Sequence, residues 1–309
     1  MATTVAVCAL TYNRPVGLAA LLASLAKLED PGDAYEVKVI IVDNDPAESA
    51  RPLVERWQGD MPWELVYASE RRRGIPFGRN TAVRMARGSD FIAFLDDDEL
   101  AETNWLAELL RVQRSTGADV VTGTVLPLFE EPPPTWAVEG GFYERPRFAT
   151  GQRIDYARTS NVLIAARVFP PGDPAPFNEA MGLNGGDDTH FFQRAVNQGF
   201  SIVWADDAIV HDSVPASRVN PWWVLKREYR RGNTLSLCLR DLQDTWWRRL
   251  RRAANGCLHI ARGIPQALVG LSRGRAATLT GLKHISLGAG LLTGLAGIRY
   301  DEYTVVHGS

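Results

Sequence analysis

Long uninterrupted apolar runs are missing from this 309-residue chain, and so are paired cysteines and a glycine-rich loop behind the first strand-like segment. Each absence removes a class of protein. A bilayer-spanning helix needs about 20 consecutive apolar residues, and the two apolar segments near the carboxyl end, Gly256 to Leu271 and His284 to Ile298, are shorter, the first also broken by Arg262 and Pro265. Cys8, Cys238 and Cys257 lie far apart without a C-x-x-C pair, which speaks against a zinc site or a disulfide framework and fits a reducing cytoplasm. The chain enters a strand-like run with no basic stretch and apolar core ahead of it, so no signal peptide is expected. Thr11-Tyr12-Asn13-Arg14-Pro15 contains no glycine, which excludes the dinucleotide fingerprint and the Walker loop at that turn.

The composition, 45% hydrophobic and 23% charged, is that of a chain with a full core, enough for one large domain or two modest ones. The net charge of -2 hides an asymmetry: from Lys226 to Arg275 there are 12 Lys and Arg against 3 Asp and Glu, so an acidic body carries a basic carboxyl-terminal segment.

Strand-like and helical periodicities alternate from the start. Thr4 to Thr11 is β-rich, Pro15 suits a first helical turn, and Leu18, Leu21, Leu22 and Leu25 recur at helical spacing. Val37 to Val42 ends at Asp43-Asn44-Asp45-Pro46, a helix through Leu53, Val54 and Trp57 leads to the strand-like Trp63 to Tyr67, and a helix around Thr81 to Met85 precedes the run Asp90 to Leu95. This alternation predicts an α/β fold with a parallel, doubly wound sheet. Ligands of such sheets bind beyond the carboxyl ends of the strands, where Thr11, Asp43 and Asp96-Asp97-Asp98 all fall.

The acidic run Asp96-Asp97-Asp98-Glu99 carries the chemistry. Adjacent carboxylates on a strand end repel one another, and Mg2+ or Mn2+ relieves that repulsion while keeping coordination sites for water and phosphate oxygens. The pattern predicts a metal–diphosphate site; the plainer reading is a solvated turn in which Glu99 and Glu102 open the next helix. Phosphate charge also calls for arginines, and Arg71-Arg72-Arg73 and Arg79 lie just ahead of the acids, with Arg79 at a helix start the stronger candidate.

Four motifs then carry a resemblance: Ala9-Leu10-Thr11-Tyr12-Asn13-Arg14, Val42-Asp43-Asn44-Asp45, Gly74-Ile75-Pro76-Phe77-Gly78-Arg79-Asn80 and Phe94-Leu95-Asp96-Asp97-Asp98-Glu99. In this order they resemble the family 2 glycosyltransferases of the GT-A fold, in particular bacterial exopolysaccharide enzymes of the succinoglycan type, over roughly residues 3–240. The resemblance implies a Rossmann-like, mostly parallel sheet flanked by helices, and inverting transfer of a sugar from a nucleotide-diphosphate sugar to a hydroxyl. The acidic run looks like the DxD motif, which implies Mn2+ or Mg2+ on Asp98 and Asp96. Thr11, Tyr12, Arg14, Asp43, Asn44, Arg71, Arg79, Asp96 and Asp97 are implied as contacts of the nucleotide sugar. Many members carry a second acid, facing uridine, where this chain has Asn44. A sugar-1-phosphate nucleotidyltransferase is the rival enzyme, but it needs a glycine-rich loop after the first strand; a non-catalytic membrane-bound scaffold is the rival outside enzymes.

Downstream, residues 127–153 hold Pro132-Pro133-Pro134 and Gly140-Gly141 and read as an acceptor-side loop, with Trp136 and Tyr143 offering ring faces for a sugar or packing on the body. Thr159-Ser160-Asn161 resembles a TxN-like element, so Asn161 is a candidate for donor or acceptor binding. In Leu183-Asn184-Gly185-Gly186-Asp187-Asp188-Thr189-His190, two glycines make a turn and paired acids open a helix, where an acid is ordinarily a cap. The family carries an acidic pair here whose second member is the base; Asp188 matches it, with Asp187 in support and His190 either facing the acceptor or packing. Phe200 to Trp204 and Ala208 to His211 predict two strands around an Asp206-Asp207 turn, and relatives place a metal- or diphosphate-contacting His near His211.

The predicted division is a catalytic domain over residues 1–220, with nucleotide and acceptor halves meeting near residue 100, and a helical region over 221–309. Trp222, Trp223 and Tyr229 alternate with Lys226, Arg227, Arg230 and Arg231, and Trp246-Trp247-Arg248-Arg249 continues the theme. Tryptophan beside arginine suits a bilayer interface. The expected partners are a nucleotide-sugar donor, a saccharide or polyprenyl-diphosphate-linked acceptor, and the cytoplasmic face of the cell membrane as a peripheral contact. Nucleic acid is not expected, because no binding motif accompanies the basic segment.

Overall fold

The computed structural model describes residues 2–182 and 185–300. Leu183 and Asn184 of the glycine turn, and residues 301–309 of the carboxyl-terminal region, lie outside the described residues.

β1 (Thr3–Thr11) turns Val5, Val7 and Ala9 to one side and Ala6 and Cys8 to the other, and all are buried. A strand apolar on both faces must be covered on both, and the helices do so. α1 (Pro15–Leu25) opens on Pro15 and buries its four predicted leucines on the first face. β2 (Tyr35–Asp43), α2 (Arg51–Trp57), β3 (Glu64–Ser69), α3 (Ile75–Met85) and β4 (Phe91–Asp96) follow as predicted. β2 and β4 flank β1, β3 flanks β2, and all three pairings are parallel.

The second half changes the sheet's character. It runs through β5 (Glu99–Ala101), α4 (Trp105–Thr116), β6 (Val120–Phe129), α5 (Thr135–Glu139), β7 (Arg153–Ile154), β8 (Val162–Ala165), α6 (Asp187–Asn197) and β9 (Ile202–Val214). The strand order is β3-β2-β1-β4-β8-β6-β9-β5, with β7 also on β9. β8 is antiparallel to both β4 and β6, so the sheet is parallel through its first four strands and mixed beyond them.

The two strands expected about Asp206-Asp207 are one. β9 steps in register against β6 between Gly123, opposite Ala205, and Thr124, opposite Ile209, so Asp206, Asp207 and Ala208 bulge from the ladder. The extra backbone groups find partners in Asn161, whose Nδ2 donates to Thr124 O at 2.8 Å and Ala208 O at 2.7 Å, and in Thr124, whose hydroxyl donates to Asp206 O. A bulge with its polar groups satisfied continues a strand that a turn would have ended.

The basic region forms α7 (Pro221–Leu242), α8 (Trp246–Gly270) and α9 (Arg275–Leu295). Asn220 caps α7 by accepting from Trp223 N at 2.9 Å. α9 lies against both other helices, and the backbones approach so closely that a Cβ at Gly281 would stand 2.2 Å from Ala267 N on α8, and one at Gly290 would stand 2.0 Å from Tyr229 O on α7. The expected acceptor-side loop folds onto this layer. Trp136 packs on Phe142, and Tyr143 stacks on Trp223 at 5.5 Å and donates its hydroxyl to Arg218 O, so both rings join a core with Val224 and Leu279. No helix of the described residues is long and apolar enough to cross a membrane.

Candidate active site

A cavity of about 850 Å³ lies at the carboxyl ends of β1 and β4, walled by the β7–β8 connection, the start of α6 and one side of α7. The parallel topology places it there, because β1 and β4 are neighbours and both end on polar residues. Thr11, Tyr12, Arg14, Asn44, Arg79, Asp96, Asp97, Asp98, Asp187 and Asp188, chosen from five separate stretches of sequence, all line it.

At the end of β4 the three aspartates have different surroundings. Asp97 is buried, accepting from Thr11 Oγ1 at 2.8 Å and from Arg14 Nη1 at 2.9 Å. Arg14 also reaches Asp98 Oδ2 at 3.0 Å, and Arg218 approaches that oxygen to 3.6 Å. The Asp96 side chain remains 46% exposed to the cavity, with Arg79 Nη2 at 3.9 Å. Open to the cavity on one side and enclosed by protein on the others, the Asp96 carboxyl is raised by desolvation to about 7 against the pull of Arg79, with Asp98 and Asp97 pushing upward as well. Burial likewise raises Asp97 to about 6, although Arg14 opposes it. Glu99, which accepts from Asp96 N at 2.9 Å, is fully buried with its other oxygen unpartnered, and burial beside Asp96 and Asp212 pushes its carboxyl well up. The strand end thus holds more carboxylate than its arginines neutralise.

Arg79 connects this end to the second acidic centre. Its Nη1 donates to Asp187 Oδ2 at 2.6 Å, with both side chains nearly inaccessible. Gly186 enters α6 in the left-handed region, φ 114°, and sets Asp187 inward against Arg79 while Asp188 lines the cavity. Asp187 Oδ1 is buried and has no hydrogen-bond partner among the described residues.

Asn44 shapes the loop after β3. Its Nδ2 donates to Glu70 O at 2.8 Å and Arg72 O at 2.7 Å, and its Oδ1 accepts from Gly74 N at 2.9 Å. An aspartate could not donate to the two carbonyls. Arg73, in the same loop, lies over the Tyr12 ring at 5.4 Å.

Several candidates are not brought to the cavity lining, Tyr143 among them. Asp43 is fully buried and accepts from Asp45 N, Ala50 N and Tyr67 Oη, which holds the β2–α2 turn. Arg71 points to solvent, its side chain 77% exposed and 3.7 Å from Glu48. Trp136 belongs to the core beneath the carboxyl-terminal helices. Asn161 uses its whole amide internally, its Oδ1 accepting from Trp105 Nε1 at 2.8 Å. His190 faces α7, with Nε2 2.6 Å from Asp241. His211 pairs with Glu102 at 2.9 Å; because side chains alternate along β9, its neighbour Asp212 reaches the cavity in its place.

The sequence reading also missed cavity residues. Asp212 follows His211 directly, and strand alternation was the signal that could have found it. Arg145, from the proline-rich loop, donates to Asp212 at 2.6 Å and to Ser160 at 2.9 Å. Arg158, Arg218, Arg227 and Arg231 reach the lining only through the fold.

Among the described residues, no group of three His, Cys, Asp or Glu side chains is arranged to hold a metal. Asp96, Asp98 and Asp212 offer oxygen donors alone, and desolvation, with neighbouring carboxylates adding to it against Arg79 and Arg145, raises the Asp96 and Asp212 carboxyls.

Residues 6–169 match the family described as glycosyl transferase family 2. Over 302 residues the chain is 34% identical to the succinoglycan biosynthesis protein ExoM of Rhizobium meliloti, covering 94% of this chain and 93% of that protein. It is 25% identical to the glycosyltransferase AglE of Haloferax volcanii, over 72% and 69% of the two chains. Two solved structures share the fold. The UDP complex of residues 1–349 of S. aureus TarS superposes with TM-score 0.53 and 17% identity over 99% of this chain and 95% of that one. The mannosyltransferase PcManGT of Pyrobaculum calidifontis, solved with GDP-Man and Mn2+, superposes with TM-score 0.55 and 16% identity over 96% and 75%.

Proposed function

The chain belongs to glycosyl transferase family 2, and from that premise we propose that it is an inverting, metal-dependent transferase that moves a sugar from a nucleotide-diphosphate sugar, UDP by preference, to a hydroxyl of a saccharide or polyprenyl-diphosphate-linked acceptor in bacterial cell-surface or exopolysaccharide synthesis. The single observation that carries this reading is the pair of acidic centres, Asp96–Asp98 and Asp187–Asp188, held in one cavity by Arg79.

The roles follow from that placement. Thr11, Tyr12, Arg14, Asn44 and the loop to Gly74 would hold the nucleotide, and Arg79 and Arg218 would meet phosphate oxygens. Asp98 and Asp96, with Asp212 beside them, would hold Mn2+ or Mg2+. That ion would supply positive charge to the departing diphosphate. Asp188 would take the proton from the acceptor hydroxyl as its oxygen bonds to the anomeric carbon. The bond to the diphosphate breaks on the opposite face, the electron pair leaves with the diphosphate, and the configuration inverts. Asp187, locked to Arg79, positions rather than reacts.

Peripheral contact with the inner face of the cell membrane belongs to the same reading. α8 turns Gly256, Gly263 and Gly270 to α9 and leaves Trp247, Leu250, Leu258, Ile264 and Leu268 exposed away from that contact. Such a face, flanked by Arg251 and Arg262, suits an anionic bilayer surface.

The test is nucleotide release from UDP-, GDP- and dTDP-sugars with Mn2+ or Mg2+, with and without EDTA and bacterial lipid extract. Metal-dependent release from one donor, raised by lipid and abolished in Asp188→Ala, is the expected result. No release from any donor, and no donor-induced rise in melting temperature, would end the proposal.

A further inference from the structure

The arginines nearest the acids of β4 and α6 are each committed to a carboxylate: Arg14 to Asp97, Arg79 to Asp187, Arg145 to Asp212 and Arg218 to Asp98. A second set of cations lines the same cavity without that balance. Arg158, on the β7–β8 connection, is exposed to the cavity and forms no hydrogen bond or ion pair among the described residues. Arg231 of α7 and Lys283 of α9 share one acid, Glu228, at 3.5 and 3.9 Å. Arg227 donates to Phe142 O at 2.7 Å and lies over the Trp223 ring at 4.8 Å.

We infer that Arg158, Arg231, Arg227 and Lys283 form a subsite for an oxyanion carried by the acceptor, separate from the place of the donor's diphosphate. The strain of the arrangement supports it. Arg158 opens to the cavity but is otherwise enclosed by protein, and that desolvation lowers it, with Arg145 and Arg231 adding repulsion that Asp188 only partly offsets. Burial pushes Arg227 down to about 10, with Arg145 and Arg158 acting the same way against Glu228. Cations gathered at a cavity wall and under-neutralised by the chain gain most from an anion that enters with the ligand. Glu228 and Asp155 also line the cavity, so the wall is not uniformly positive, and Glu228 holds Arg231 and Lys283 in place rather than cancelling Arg158.

The position names the molecule that brings the charge. Arg158 and Asp188 line one cavity, so the subsite shares its space with the carboxylate assigned to the acceptor hydroxyl. Lys283 stands on α9, the helix that also carries α8 with its exposed apolar face. An oxyanion here is either the diphosphate of a lipid carrier or the carboxylate of an acidic sugar. The word acceptor rests on the transferase reading; the oxyanion does not.

The experiment is calorimetric titration of the full-length protein with farnesyl diphosphate and, separately, with a glucuronate-terminated disaccharide, each with and without saturating UDP. Wild type is compared with Arg158→Gln, Arg231→Gln and the charge-preserving Arg158→Lys. At least one probe binds in the presence of UDP, either glutamine variant weakens it about tenfold, Arg158→Lys retains most of the affinity, and the Kd of UDP moves less than about twofold. The probe that responds identifies the source of the charge. Displacement of the probe by UDP, equal loss of UDP affinity in the glutamine variants, or no binding by either probe would overturn the inference. Nucleotide release measured on the same preparations separates the two readings. Release that persists with anion binding indifferent to Arg158 removes this subsite alone, whereas absent release with Arg158-dependent binding removes the transferase.

Discussion

Arg79 Nη1 stands 2.6 Å from Asp187 Oδ2 and its Nη2 3.9 Å from Asp96 Oδ1, so one buried guanidinium bridges residues 91 positions apart in the chain. Removing it strands a buried carboxylate. Arg79→Ala is expected to lower unfolding free energy by about 3–5 kcal/mol, measured by urea denaturation. Arg79→Ala combined with Asp187→Ala is expected to lose less than the sum of the two single-variant losses, and a double-variant loss equal to that sum would show that the pair is not coupled.

Asn44→Asp tests the loop after β3. Two backbone carbonyls lose their donor and face a carboxylate, a change of about 1–3 kcal/mol per unsatisfied group. Weaker binding of the donor nucleotide, by about tenfold, is expected by calorimetry, with faster amide exchange over residues 70–74. Tighter UDP binding in this variant would mean that an acid at this position serves the base directly.

Glu70 sets a pH dependence. Burial works to raise its carboxyl, but the Arg72 guanidinium and N–H and the Thr81 hydroxyl outweigh it and hold the group at about 2, below its ordinary 4.5. Its contribution to stability is therefore whole above pH 4.5 and is lost as pH falls through about 2. Glu70→Gln is expected to flatten that part of the stability-against-pH curve, read from melting temperatures between those limits. An unchanged slope would assign the acid sensitivity to other carboxylates.

The α8–α9 contact predicts a separable lesion. Gly281→Val places a branched side chain where even a Cβ is 2.2 Å from Ala267 N. The variant is expected to melt several degrees lower and to expose α8 to limited proteolysis, while the Kd of the donor nucleotide stays within about twofold. Loss of nucleotide binding with the same severity would instead make the helical layer part of the donor site.

Leu258→Glu with Leu268→Glu introduces charge on the exposed face of α8 without touching the glycine face. Co-sedimentation with vesicles containing phosphatidylglycerol is expected to drop about tenfold or more, while nucleotide release from a soluble donor is unchanged. Retained sedimentation would place the lipid contact elsewhere.

The alternation of strands and helices through Asp96, and the convergence of Thr11 and Asp96–Asp98 on one crevice, were legible because local apolar periodicity and parallel topology suffice to place strand ends together, whereas Asp43, at a third strand end, is taken up by the β2–α2 turn. The acidic pair at residues 187 and 188 was legible as well, since a double-glycine turn before a helix is a local signal. Residues whose meaning lies in their partners were not. Asn161 reads as a ligand-binding side chain until the β9 bulge takes its amide, and His211 reads as a metal neighbour until strand alternation turns Asp212 inward instead. Trp136 and Tyr143 look like ring faces for a sugar, but the carboxyl-terminal helices bury them.

By itself, then, the sequence determined the sheet's parallel half and the acids at its edge, because those follow from short-range pattern. Only the tertiary structure decided which face of α8 meets solvent, which arginines are neutralised and which are not, and that Arg79 ties the two acidic centres together. Those outcomes depend on long-range packing, where a glycine contact between helices or a single buried ion pair settles what no stretch of sequence contains.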